Sequence, residues 1–88
     1  MTLTKGLLYS LIGSMNHFMG LESLSFSQNF LKDISFLNSN KLTTLIELNL
    51  SQNKISQLRK EYFQYLHGLS VLNLEDNLLQ EVIFKKYF

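Results

Sequence analysis

Eight basic and seven acidic side chains leave this 88-residue chain with a net charge of +1, and it contains neither cysteine nor proline. A chain this short holds one domain at most, and its balanced charge gives no electrostatic basis for binding nucleic acid or an anionic membrane surface. The missing cysteines exclude disulfides, thiolate catalysis and Cys-based metal sites together, and no apolar run approaches the roughly 18 residues needed to cross a bilayer.

In chain order, residues 1–20 read MTLTKGLLYSLIGSMNHFMG. Lys5 followed by a short apolar stretch invites a signal-peptide reading, but Tyr9 and Ser10 interrupt it and no small-x-small cleavage site follows. The competing reading is an amphipathic helix with a stripe of Leu3, Leu7, Leu11 and Met15, flanked by Leu8, Ile12 and Met19. Gly6 and Gly13 each weaken such a helix by roughly 1 kcal/mol. Met15, Phe18 and Gly20 also fall in the columns that Phe63, Leu66 and Gly68 define further on. The segment is therefore expected to be the return half of a preceding repeat, or a capping helix in its place.

From Leu21 onward one pattern recurs at an interval of 24 residues: LESLSFSQNFLKDI from Leu21, LIELNLSQNKISQL from Leu45 and LSVLNLEDNLLQEV from Leu69. Its columns are Leu21/Leu45/Leu69, Leu24/Leu48/Leu72, Phe26/Leu50/Leu74, Asn29/Asn53/Asn77, Leu31/Ile55/Leu79 and Ile34/Leu58/Val82. A fixed period in the range of roughly 20–50 residues predicts units that bury their apolar faces against one another. Leu48 and Leu50 alternate with Glu47, Asn49 and Ser51, as in a short strand with one face buried, and equivalent strands should pair in parallel. Asn29, Asn53 and Asn77 stand where the chain turns away from the sheet. An amide both donates and accepts, so it can satisfy backbone groups that the turn leaves unpaired.

The return halves are less regular. Leu58, Phe63 and Leu66 of the second repeat correspond to Ile34, Ser39 and Leu42 of the first, with Phe36 or Leu37 expected to fill the gap at Ser39. Short helical or 3-10 turns are predicted here. Val82 and Tyr87 occupy the Leu58 and Phe63 slots before the chain ends in VIFKKYF, an aromatic stretch guarded by Lys85 and Lys86. The predicted divisions are 1–20, then repeats 21–44, 45–68 and a truncated 69–88, with both ends open to self-association.

The three patterns resemble the leucine-rich repeat family, whose core signature is LxxLxLxxNxL. LSVLNLEDNLL matches throughout, LIELNLSQNKI has the equivalent Ile55 in the last Leu slot, and LESLSFSQNFL differs by Phe26 in a Leu slot. The resemblance implies an α/β right-handed solenoid, a horseshoe fragment with a short parallel sheet on its concave face and short helical or 3-10 turns on its convex face. It also implies a protein or peptide ligand held on the concave sheet. The repeat length and the stretch FQYLHGL resemble the subclass of extracellular and receptor proteins, although the usual return-half prolines and Cys-rich caps are missing.

The predicted contact strip on the concave face consists of Ser23, Ser25, Ser27 and Gln28, then Glu47, Asn49, Ser51 and Gln52, then Val71, Asn73, Glu75 and Asp76. Phe30 and Leu78 share an edge column with Lys54 and form a candidate apolar patch. Asn49-Leu50-Ser51 is an N-glycosylation sequon on the same strip, so a glycan at Asn49 and a ligand compete for one surface. His17 and His67 lie out of register with the period and give no metal site. No serine has an identifiable base with an orienting acid, and no glycine-rich phosphate loop is present. The sequence thus predicts a non-catalytic interaction module with no cofactor, no nucleic acid partner and no membrane insertion by this chain. It reads as part of a longer extracellular or receptor protein; a small self-contained intracellular scaffold, or a truncated product without its own binding function, is the alternative.

Overall fold

The computed structural model describes residues 1–11, 13, 15–79 and 81–82. Helix α1 (Lys5–Leu11) and a 3-10 turn (Asn16–Phe18) precede strand β1 (Ser23–Ser25). Two 3-10 turns, Ser35–Leu37 and Asn40–Leu42, then lead to β2 (Glu47–Asn49). β3 (Gln57–Leu58), a further turn (Lys60–Phe63), β4 (Val71–Asn73) and β5 (Glu81–Val82) complete the order.

β1, β2 and β4 form a three-stranded sheet in that order, with both pairings parallel. Its register is the period of the sequence: Ser23 pairs with Glu47, and Glu47 with Val71. Parallel neighbours require a crossover, and each repeat supplies one through its return segment. The alternation of side chains along a strand turns Leu24 and Leu48 inward, where they are buried, and leaves Ser23, Glu47 and Val71 exposed. Across the core the return segments contribute Ile34, Leu37, Leu42, Leu58 and Phe63. Burying one such side chain stabilises the fold by roughly 1.5–3 kcal/mol, set against the entropy of ordering the chain.

The gap in the phenylalanine column is filled from elsewhere. Phe36 meets Phe26 edge to face, with ring centroids 5.1 Å apart and planes at 73°. The Ser39 hydroxyl instead accepts the Lys41 backbone N–H at 3.2 Å and starts the next turn.

The asparagines link one repeat to the next. Asn53 Nδ2 donates to the carbonyls of Phe26 (3.0 Å), Leu50 (3.0 Å) and Ser51 (3.1 Å). Its Oδ1 accepts the backbone N–H groups of Asn29 (3.1 Å) and Leu31 (2.9 Å). Asn77 donates to Leu50 (2.8 Å) and Leu74 (3.1 Å) and accepts from Ile55 (3.1 Å). Asn29 donates to Phe26 (2.7 Å) and to Leu3 of the N-terminal segment (2.8 Å).

The N-terminal segment departs from the predicted helical stripe. Thr2 bridges Ser25 in parallel; Leu3 N–H donates to the Ser25 carbonyl at 2.9 Å and Ser25 N–H to that of Met1 at 2.7 Å. Leu3 therefore enters the core from extended backbone, and the helix begins after it. Within α1 the buried residue is Leu8, at 0% exposure, while Leu7 is 45% exposed. Met15 lies beyond α1 in the left-handed region at φ 60°. Leu3, Leu7, Leu11 and Met15 thus do not form one helix face.

The return side holds a second departure. Gln57 and Leu58 pair in parallel with Glu81 and Val82, where only turns were predicted. Val82 shares the Leu58 column, so the stacking that aligns the main strands also brings these backbones side by side. In the third repeat Leu69, Leu72 and Leu74 are only partly buried and Leu79 is exposed. Among the described residues β4 pairs with β2 alone, so its core face is covered from one side. Residues 83–88, which carry most of VIFKKYF, lie outside the described residues.

Two outcomes follow from these contacts. Leu8→Ala should cost about 2–4 kcal/mol in urea unfolding, whereas Leu7→Ala should stay within about 0.5 kcal/mol of the parent; equal costs would restore the predicted stripe. Asp33 Oδ1 accepts the Ser35 N–H at 2.8 Å, and the backbone and side-chain hydrogen bonds of Ser35 hold this carboxyl below the ordinary aspartate range. A depressed carboxyl contributes stability that is fully present above the unfolded value of about 3.9 and is lost as pH falls through the lower folded value. Asp33→Asn keeps the acceptor but does not titrate. Urea midpoints followed from pH 6 to pH 2 should therefore show a smaller acid loss in that variant.

Candidate interaction surface

The register of the sheet arranges the outward residues in rows that run across the strands. Ser23, Glu47 and Val71 form one row, and Ser25, Asn49 and Asn73 the next. Beyond the strand ends the same period sets Ser27, Ser51 and Glu75 together, then Gln28, Gln52 and Asp76. The first row and the last are exposed, and the second is half-buried. Neighbouring strands lie roughly 4.8 Å apart, so each row presents its side chains at that spacing.

Two asparagines in this strip have fixed geometry. Asn49 Oδ1 accepts the Ser51 backbone N–H at 3.0 Å, and Asn73 Oδ1 accepts that of Glu75 at 3.0 Å. Each side chain thereby closes a small turn on its own backbone and has its acceptor occupied. The sequon asparagine is thus bonded to the third residue of its own sequon. Charge in the strip comes from Glu47, Glu75 and Asp76, and none of its residues is basic.

The turn that leaves the sheet has a feature that sequence reasoning missed. Gln28, Gln52 and Asp76, each just before an asparagine of the ladder, all adopt left-handed backbone, at φ 63°, 57° and 58°. Glycine is the usual signal for this region, and it is absent from all three positions. The readable signal was the recurrence of a polar residue before Asn at the fixed period.

Phe30 is left-handed as well, at φ 57°, whereas its column mates Lys54 and Leu78 are not among the positive-φ residues. The N–H groups of Asn29 and Leu31, two residues apart, both converge on Asn53 Oδ1. Backbone N–H groups converge in this way when an intervening residue takes left-handed φ, forming a nest around one acceptor. The ladder therefore dictates the Phe30 backbone. Its ring stands 67% exposed, with Lys54 Nζ 5.7 Å from the ring centroid. Leu78, at the far end of the column, is 54% exposed.

Among the described residues no group of three or more His, Asp or Glu side chains is placed to hold a metal ion. No helix among them is long and apolar enough to cross a membrane. The arrangement offers hydrogen bonding, acidic charge and a few apolar contacts across a rigid sheet, which is the chemistry of recognition.

Because Asn53 is buried and Asn77 partly exposed, the two should differ in energetic weight. Asn53→Leu strands the Leu31 N–H in the core and breaks the side-chain bonds that tie two repeats together, and should cost about 3–5 kcal/mol in urea unfolding. Asn77→Leu should cost about half as much, since water can reach the groups it leaves.

Comparison with known proteins agrees with the repeat geometry. The family model described as leucine rich repeat matches residues 43–83. Lumican of Oryctolagus cuniculus is 38% identical over 64 residues, which is 73% of this chain and 33% of that protein. The probable serine/threonine-protein kinase pats1 of Dictyostelium discoideum is 35% identical over 81 residues, 88% of this chain but 2% of that protein. The chain thus spans a third or less of the length of the relatives it matches. Its parallel strands in 24-residue register, its asparagine ladder and these matches place the chain in the leucine-rich repeat family.

Proposed function

We propose that this chain is a non-catalytic, protein-binding part of a longer right-handed leucine-rich repeat solenoid. Its ligand, a protein or peptide, sits on the outward face of the three-stranded sheet. The observation that carries this reading is the set of outward rows, polar except at Val71, held in register across β1, β2 and β4, from Ser23, Glu47 and Val71 to Gln28, Gln52 and Asp76. Glu47, Glu75 and Asp76 give the strip an acidic character, so the partner segment is basic and rich in hydrogen-bonding groups. Residues 1–20 act as the return half or cap of the preceding position, and 21–44, 45–68 and 69–88 as successive repeats.

The 24-residue period and the stretch FQYLHGL support an extracellular setting, in a receptor or a related secreted protein. A glycan at Asn49 would stand in the middle of the strip, so ligand contact and glycosylation there exclude one another. The kinase activity named for one relative belongs to a protein of which this chain matches 2%.

A photo-reactive amino acid placed at Glu47 or Val71 on the strip, or at Glu61 or His67 on the return side, tests the reading in the intact protein in its native cells. A single crosslinked partner obtained from the strip positions and not from the return side is the expected result. Equal yields from both sides, or crosslinks from the return side alone, would overturn it.

A further inference from the structure

We propose that the edge column of Phe30, Lys54 and Leu78 is a second docking surface, separate from the sheet face, for a partner segment that presents a carboxylate between apolar side chains. Three observations converge on this column. Phe30 and Leu78 are exposed apolar side chains at its two ends, with Lys54 between them in sequence period. Lys54 Nζ lies 5.7 Å from the Phe30 ring centroid, and among the described residues it makes no ion pair. The backbone of the column is tied down: Lys54 N–H donates to the Leu31 carbonyl at 2.8 Å, and Leu78 N–H to that of Ile55 at 2.9 Å.

The conformation of Phe30 supplies the physical reason. A bulky side chain rarely occupies left-handed backbone, and such residues persist where the surroundings over-determine them, often at binding sites. The grip of Asn53 on the N–H groups either side of Phe30 provides that determination. The ring is thus offered to solvent on a fixed backbone, so little main-chain freedom is lost when a partner covers it. Aromatic side chains presented in this way are frequent anchors of protein contacts.

Charge selects the occupant. Lys54 makes the middle of this column basic, the exposed Lys32 and Asp33 beyond Phe30 offsetting one another, whereas the sheet strip carries Glu47, Glu75 and Asp76. A basic partner suits the strip, and an acidic one suits the column. An apolar side chain on the Phe30 ring, a carboxylate at Lys54 and a second apolar side chain at Leu78 satisfy all three positions. The roughly 4.8 Å spacing between repeats is within reach of alternate residues of an extended peptide.

Two blocked heptapeptides, one centred on Leu-Ser-Asp-Ser-Leu and the other on Leu-Ser-Lys-Ser-Leu, titrated against the isotopically labelled chain provide the test by amide NMR. The acidic peptide should shift the amides of residues 30, 54 and 78 and leave those of the sheet strip unmoved. The basic peptide should not shift that column. Lys54→Ala should weaken the acidic peptide roughly fivefold, and Lys54→Glu should reverse the preference between the peptides. Phe30→Asn, which tolerates left-handed backbone and so keeps the fold, should abolish the shifts at residues 54 and 78. Equal response to both peptides, no response at the column, or unchanged affinity in Lys54→Glu would overturn the proposal. So would self-association in sedimentation without peptide that Lys54→Glu abolishes, since the acidic partner would then be the strip of a second copy.

Discussion

The amide of Asn53 is the contact on which the geometry of this chain depends. It is a polar group inside an apolar stack, where an unpaired donor or acceptor would be costly, and it bonds backbone groups of two successive repeats. Hydrophobic side chains alone would tolerate some slippage between repeats, because leucine packs acceptably in several positions. The hydrogen bonds do not. A shift of one repeat along the next would leave the buried Leu31 N–H without its acceptor. The asparagine therefore converts a loosely specified apolar stack into one register, and everything presented outward inherits that register.

Two consequences of the same grip lie on the surface. The pairing of Ser23 with Glu47, and of Glu47 with Val71, gathers the outward side chains into rows, so residues 24 apart in sequence act as neighbours. The convergence of two N–H groups on Asn53 Oδ1 also forces Phe30 into left-handed backbone. A core interaction thereby controls the presentation of an exposed ring.

Much of this was legible in the sequence because it rests on periodicity. Apolar columns at a 24-residue interval give the strands their register, and alternation around Leu24, Leu48 and Leu72 gives the strip its outward positions. What escaped detection lacks a periodic signal. The face of α1 was misread because spacing by four connects Leu3 to Leu7 on paper, while the bridge of Thr2 to Ser25 makes Leu3 extended and leaves Leu8 to face the core. The pairing of β3 with β5 depends on how closely two irregular return segments approach, which tertiary packing sets. The left-handed residues carry Gln, Asp or Phe where Gly would have announced them, so only the geometry of the asparagine turn identifies them.

A net charge of +1 conceals a local difference: the sheet strip carries Glu47, Glu75 and Asp76 and no base, and the edge column carries Lys54 and no acid. Sequence period sends the residue two places before each asparagine toward the sheet side and the residue one place after it toward the edge. The first column holds Ser27, Ser51 and Glu75, and the second Phe30, Lys54 and Leu78. Three residues of sequence thus separate a column whose one charge is Glu75 from a column whose one charge is Lys54. Such a division favours different partners at each surface and penalises either partner on the wrong one, because like charges brought together across an interface cost affinity. The turn made by Gln28, Gln52 and Asp76 is the boundary, and its left-handed backbone fixes the direction each surface faces. What the strip and the column each present therefore depends on where the ladder bends the backbone as much as on which side chains flank the bend.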